Sequence, residues 1–382
     1  LHHGGFEISH CALSHFGFHI AKHSAPAEQV KAETIKAKFF SSGQGGGVEV
    51  EGTADAADDR RRCLNEFDGG QGGLSPECRD PFRLAQSLVA RAIAYRAVMA
   101  NDIDIGLFSI NTDHLVDAEA LSTVAIAAEQ AGFDSLWTAE HVVLPDPQTP
   151  PSPLPPDARL LDPTVALGYI AAVTTKIKLG TGIIILPQRN PLVLAKELAS
   201  VDVLSGGRTI FGVGVGYLQP EFDALGVSME NRGSRATEYI EAMRSIWNDD
   251  DPSYDGEFVS FSGVKAYPRP IQRPGPPVVM GGHSKPAWRR AVTHCEGWYG
   301  FMLNPEATEE NLAGLARAGE QYDRPDWMDE LEITVTPRMR PGPDMIDAYS
   351  QLGVDRLVLL AGAQSVDESL AFIEHIHDTL LS

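Results

Sequence analysis

Cysteine is scarce. The 382 residues contain four, Cys11, Cys63, Cys78 and Cys295, with no C-x-x-C pair among them. Such a set frames no disulfide-stapled domain and fits a reduced, cytoplasmic protein. Long apolar runs are missing too, since none approaches the roughly 20 residues needed to cross a bilayer. The N-terminus lacks the basic, apolar and small-residue order of a secretory signal. Basic charge is in short supply: 31 Lys+Arg stand against 52 Asp+Glu, a formal net charge of −21. The deficit is uneven. Residues 1–98 hold 11 basic and 12 acidic residues, which leaves 20 and 40 for the rest. A body this acidic repels nucleic acid and anionic membrane surfaces, so neither is expected as a partner, and its simplest meaning is solubility.

Apolar content is also thin before residue 99. "SSGQGGGVEVEGTADAADDRRR" and "FDGGQGGLSPE" offer little to bury, although a helical pattern, "DPFRLAQSLVARAIAYRAVMA", follows them. Residues 1–98 are therefore expected to form a poorly structured extension, disordered or outside the native product, with 99–382 as the folded body. His15, His19 and His23 share one helical face, yet no carboxylate or paired cysteine completes a shell. No metal site is expected.

From residue 103 strand-length apolar runs alternate with helical patterns. The strand runs are "IDIGLF" (103–108), "SLWTAEH" (135–141), "IKLGTGIIILP" (177–187), "TIFGVGVGY" (209–217), "PPVVMGG" (276–282), "GWYGFM" (297–302), "LEITVTPRM" (331–339) and "VDRLVLLAG" (354–362). Strict alternation implies a parallel sheet, and eight units in this length imply an α/β (β/α)8 TIM barrel. The segment "NDDDPSYDGEFVSFSGVKAYPRPIQRP" reads as an insertion after strand 4.

Barrel sites sit at the C-terminal ends of the strands. Those ends offer Phe108, Glu140 and His141, Thr181 to Ile184, Gly214 to Tyr217, Gly281 to Ser284, Phe301, Pro337 and Gly362. No lysine stands there for a Schiff base, and no histidine cluster for a metal hydrolase. A site poor in ionisable groups suits a cofactor that brings its own reactivity. "FGVGVGY" is not a Rossmann loop, because G-x-G-x-G brings the third glycine one residue early. Alternation instead puts Gly212, Gly214 and Gly216 on one face of a strand, with Phe211, Val213 and Val215 on the other. The bare face admits two readings, a ligand lying close or a strand weakened by glycine. Gly281-Gly282-His283-Ser284 ends a strand and opens a helix, where backbone N–H groups hold phosphate; Ser284 as a plain N-cap explains it nearly as well. His141 is the leading catalytic candidate, with Glu140 beside it on the opposite face if the strand continues.

Several motifs in order carry a family resemblance: "GFDSLWTAEHVVLP", "IKLGTGIIILPQRNPLVLAKELASVDVLSGGR", "FGVGVGYLQPEFDALGV", "RGSRATEYIEAMRSIW" and "VVMGGHSKPAWRRAV". Across about residues 103–380 the chain resembles the luciferase-like monooxygenase superfamily, and within it the deazaflavin-dependent oxidoreductases. The resemblance implies coenzyme F420, or alternatively FMN, at the strand C-termini. It implies a bulge in strand 3 with a non-prolyl cis peptide at Gly182-Ile183, following Thr181, that backs the cofactor ring. It matches the family histidine to His141, the ring-facing glycines to Gly214 and Gly216, and the phosphate site to Gly281, Gly282, His283 and Ser284. Arg232 or Arg235 is expected near the cofactor's anionic tail. The function implied is hydride transfer between deazaflavin and a small organic substrate. The rivals are an FMN-dependent monooxygenase using oxygen and a flavin reductase partner, and a non-catalytic flavin-binding barrel. A homodimer is an expectation from the resemblance. No strand-end lysine grips a substrate phosphate, so Phe108, Trp137, Tyr217 and Phe301 are expected to wall an apolar or carbonyl-bearing compound.

Overall fold

The computed structural model describes residues 34–40, 47–53 and 103–382. Strands β1 (Thr34–Phe40) and β2 (Gly47–Thr53) form an antiparallel pair belonging to a separate unit. The remaining expectations for residues 1–98, including the histidine stripe and Cys11, Cys63 and Cys78, lie outside the described residues.

The body runs β3 (Asp104–Phe108), α1 (Ala118–Gln130), β4 (Ser135–Thr138), α2 (Pro163–Val173) and β5 (Lys178–Thr181). A two-residue strand β6 (Ile184–Ile185) and α3 (Pro191–Ser205) follow, then β7 (Thr209–Gly214), a short α4 (Gln219–Ala224) and α5 (Arg232–Asn248). The insertion carries the small antiparallel pair β8 (Tyr254–Asp255) and β9 (Ser260–Phe261). The chain ends with β10 (Val278–Gly281), α6 (Lys285–His294), β11 (Gly297–Leu303), α7 (Pro305–Gln321), β12 (Glu332–Pro337), α8 (Pro343–Ser350), β13 (Arg356–Leu360) and α9 (Val366–Ile376).

Eight strands close a parallel barrel in the order β3-β4-β5-β7-β10-β11-β12-β13, with β13 pairing back to β3. Helix starts are written locally. Asp117, Asp162, Asn190, Asn304 and Ser365 each accept first-turn N–H groups, and prolines open several of these helices. The period of two along each strand divides two cores. Leu136, Leu179, Phe211 and Val213 point outward to the helices, within the large apolar layer. Phe108, Trp137, Ile210, Val279, Tyr299 and Val358 point inward and fill the barrel. Trp137 is therefore a barrel-filling residue with no exposed surface, and it lines no pocket wall.

The N-terminal end of the barrel is plugged by charge. The Arg356 guanidinium is 1% exposed and lies 6.0 Å from the centre of the Trp137 ring. It donates to Asp134 (2.8 Å), Asp104 (3.3 Å) and Glu332. Burial alone would raise the Asp134 carboxyl, but Arg356 and Lys178 hold it below the ordinary value. A cavity of about 340 Å3 opens at this same end, beside Ile210, Val279, Arg324 and Trp327. The strand-end candidates all lie at the other end.

Candidate active site

The third predicted strand, 177–187, does not run straight through. It breaks after Thr181 and resumes at Ile184, leaving a bulge with a cis peptide at Gly182-Ile183. The break is tied on both sides. Gly182 N–H donates to Thr138 O at 2.8 Å, and the Thr181 hydroxyl donates to Gly212 O at 2.6 Å. The Ile185 N–H donates to Glu140.

The bulge accounts for the bare glycine face. A Cβ built on Gly214 would overlap Ile183 Cδ1 and stand 3.2 Å from its Cγ1. One on Gly281 would stand 2.8 Å from the same Cδ1, and one on Gly212 would overlap Thr181 O and stand 3.3 Å from Ile183 Cγ2. Three glycines from β7 and β10 thus form a socket that receives the Ile183 side chain. Gly216 does not share their face. It lies beyond the end of β7 with φ of +76°, and a Cβ there would meet Phe222 at 2.6 Å and Ile185 at 2.7 Å. The room made by Gly214 and Gly216 is filled by the chain itself, so any ligand would meet Ile183 rather than bare β7.

β4 ends at Thr138, so Glu140 and His141 lie just past it and part company. Glu140 is buried and accepts from Arg189 Nε at 2.9 Å, from Arg189 Nη2 and from the Ile185 amide. Burial raises its carboxyl above the ordinary value, with the Arg189 charge opposing. His141 turns the other way. Its Nδ1 lies 3.1 Å from Glu221 Oε2, and Tyr217 Oη lies 3.4 Å from its Nε2. Glu221 Oε1 accepts the Val142 N–H at 2.7 Å. Burial works to raise the Glu221 carboxyl, yet hydrogen bonds from His141 and Val142 leave it below the ordinary value. Burial, then the Glu221 charge, raises the Tyr217 hydroxyl above its usual value, which keeps it protonated.

At the neighbouring rim, Gly282 has φ of +120° and leads through His283 to Ser284, the N-cap of α6. The Ser284 side chain makes no capping bond, and Pro286 sits in the first turn. Burial lowers the His283 imidazole pKa, and its Nε2 accepts the Phe301 N–H at 3.2 Å. Phe301 packs on Phe108 with ring centres 5.2 Å apart. Arg232 donates to Gly216 O at 3.1 Å and Arg235 to Ser228 O at 2.7 Å, so both are engaged with local backbone. Pro337 ends β12, and Gly362 follows β13 with φ of +63°.

A model of the luciferase-like monooxygenase family matches residues 107–372. The chain belongs to this family. An uncharacterised protein of Mycobacterium tuberculosis is 32% identical over 266 residues, 67% of this chain and 92% of that protein. The FMNH2-dependent dimethylsulfone monooxygenase of Pseudomonas putida is 35% identical over 133 residues, 34% of this chain and 36% of that enzyme. An F420-dependent secondary alcohol dehydrogenase, solved with an F420–acetone adduct, shares the fold at TM-score 0.58 and 16% identity, covering 73% of this chain and 98% of that one. Luciferase-like proteins are oxidoreductases or monooxygenases; the similar proteins include an FMNH2-dependent relative and an F420-dependent enzyme that shares the fold.

The mouth of this luciferase-like barrel fits a flavin-shaped group. Its floor is apolar, from Ile183 and Phe108. Its rim holds a helix N-terminus with an unengaged serine hydroxyl, the donor set that takes a phosphate. Among the described residues no group of His, Cys, Asp and Glu is placed to hold a metal ion. No helix among them is long and apolar enough to cross a membrane. Sequence reasoning missed Glu221 and Arg189. Both reach the segment that follows β4 from distant parts of the chain, and only the charge of "LQPEF" and "PQRNP" beside strand ends hinted at them.

Proposed function

We propose that this chain is a coenzyme F420-dependent oxidoreductase, passing a hydride between the deazaflavin and a small organic substrate. The observation that carries the reading is the Ile183 bulge. It presents a fixed apolar platform at the strand C-termini, with His141 the acid–base group standing beside it. The likeness of "GTGIIILPQRNP" and "TAEHVVLP" to the deazaflavin branch favours F420. Thr181, Gly182 and Ile183 would support the ring, and the backbone of Gly282, His283 and Ser284 would hold the phosphate. When bound, the deazaflavin supplies the hydride-accepting or hydride-donating carbon. His141 Nε2 takes or returns the substrate proton, with Tyr217 within reach of the same nitrogen. Glu140, neutralised by Arg189 and tied to the Ile185 amide, holds the bulge rather than moving a proton. Phe108 and Phe301 exclude water from an apolar substrate.

The test is His141→Ala in F420-loaded protein. Cofactor affinity should stay within about threefold, while turnover falls by roughly 10²–10⁴, the usual contribution of a positioned acid–base group. Unchanged turnover would favour a non-catalytic cofactor-binding barrel. The Pseudomonas putida relative supports a second reading, an FMN-dependent monooxygenase that needs oxygen and a flavin reductase. Oxygen consumption with chemically reduced FMN would favour that branch.

A further inference from the structure

We infer that Glu221 is the positioning residue of the site: it holds His141 in the Nδ1–H tautomer, so that Nε2 meets the barrel mouth as a proton acceptor. The inference rests on the reading of His141 as the proton-handling group. The carboxylate sits on α4 and is 1% exposed. Both of its oxygens are used: one faces His141 Nδ1 at 3.1 Å, and the other accepts the Val142 N–H at 2.7 Å. An ionised carboxylate only accepts, so the hydrogen between the two groups belongs to Nδ1. In the neutral ring Nε2 then has a lone pair, and the hydroxyl that faces it is that of Tyr217, 3.4 Å away. Because Glu221 grips both the ring and the next backbone amide, the imidazole plane is fixed relative to its own chain. The ring is almost fully buried, with its side chain 8% exposed. Phe222 anchors α4 itself, with no exposed surface and its ring set against Gly216. The groups facing His141 are thus Glu221 on one nitrogen and Tyr217 on the other. Glu140 is turned away to Arg189.

The test is nitrogen NMR of the histidine rings in the full chain, with no cofactor added, at a pH where His141 is neutral. His141→Gln assigns the signal. Wild type should show protonated Nδ1 and bare Nε2. Glu221→Gln keeps one acceptor oxygen, which the Val142 N–H claims, so its NH2 turns to Nδ1 and should shift the ring to the Nε2–H tautomer. Glu221→Ala removes both groups and should release the ring to the mixed tautomers of a free imidazole. In loaded enzyme, Glu221→Ala should lower kcat at least tenfold with KM within about threefold, and Glu221→Gln, which leaves Nε2 protonated, should not recover the loss. Protonated Nε2 in wild type would overturn the inference, even if no Glu221 variant folds. So would a tautomer unchanged in Glu221→Ala. Failure to bind either F420 or FMN would sink the functional reading instead, and the cofactor-free spectra would still decide the role of Glu221.

Discussion

Gly214→Ala tests the socket directly. The new Cβ would overlap Ile183 Cδ1 and crowd its Cγ1 at 3.2 Å, where carbon atoms prefer about 3.5–4.0 Å. Ile183 has no easy retreat. A move toward β10 meets the backbone of Gly281, whose own Cβ position is already 2.8 Å from the same methyl. Overpacking of this kind costs about 1–3 kcal/mol. For a barrel of this size that is a fall of roughly 2–10 °C in Tm, read by calorimetry. Ile183→Ala alone should cost a similar amount through lost burial. The double variant is the decisive member, because trimming Ile183 empties the space that the new methyl needs. It should be no less stable than Ile183→Ala, giving a coupling of about 1–3 kcal/mol. Costs that add within about 0.5 kcal/mol would refute the socket, since independent sites behave that way.

Gly212→Ala should be worse and beyond rescue by Ile183→Ala, because its Cβ would overlap the Thr181 carbonyl and backbone cannot be trimmed; chemical denaturation of the single and double variants checks this. Arg356→Met should cost about 3 kcal/mol or more, at the lower end for a broken buried pair because Asp104 and Glu332 keep 44% and 41% exposure; a loss within 0.5 kcal/mol would mean the plug does not hold the barrel end. Glu221 titrates below the ordinary carboxylate value in the fold, so its pairing stabilises the protein above that value and stops doing so as pH falls through the lowered one. The Tm gap between wild type and His141→Ala should therefore be open near pH 5 and narrow on further acidification; a widening gap would contradict the assignment.

The barrel was legible because period-two strands and 3.6-residue helices alternate along 103–382, broken mainly by the β8–β9 insertion, and every helix start but that of α5 carries a side-chain cap or a first-turn proline. The glycine run was legible as a bare face. Its occupant was not, since nothing in "FGVGVG" says that a residue some 30 positions earlier will turn inward to fill it. Gly216 left the strand because its positive φ turns the chain toward α4. The parity of Trp137 followed only from closure of the barrel, which decides which face of β4 is inside. Glu140 and His141 lie just past the end of β4, and their surroundings separate through partners about 49 and 80 residues away, Arg189 and Glu221. α4 has six residues and no capping side chain, so a first-turn proline was the main local sign of the helix that carries Glu221.

The central claim is that the Ile183 platform and the α6 N-terminus hold a deazaflavin. Paired fluorescence titrations of the purified chain with oxidised F420 and with FMN test it most directly. Saturable F420 binding in the micromolar range or tighter, with FMN at least tenfold weaker, is the expected result. Preference for FMN, or binding of neither, would contradict it.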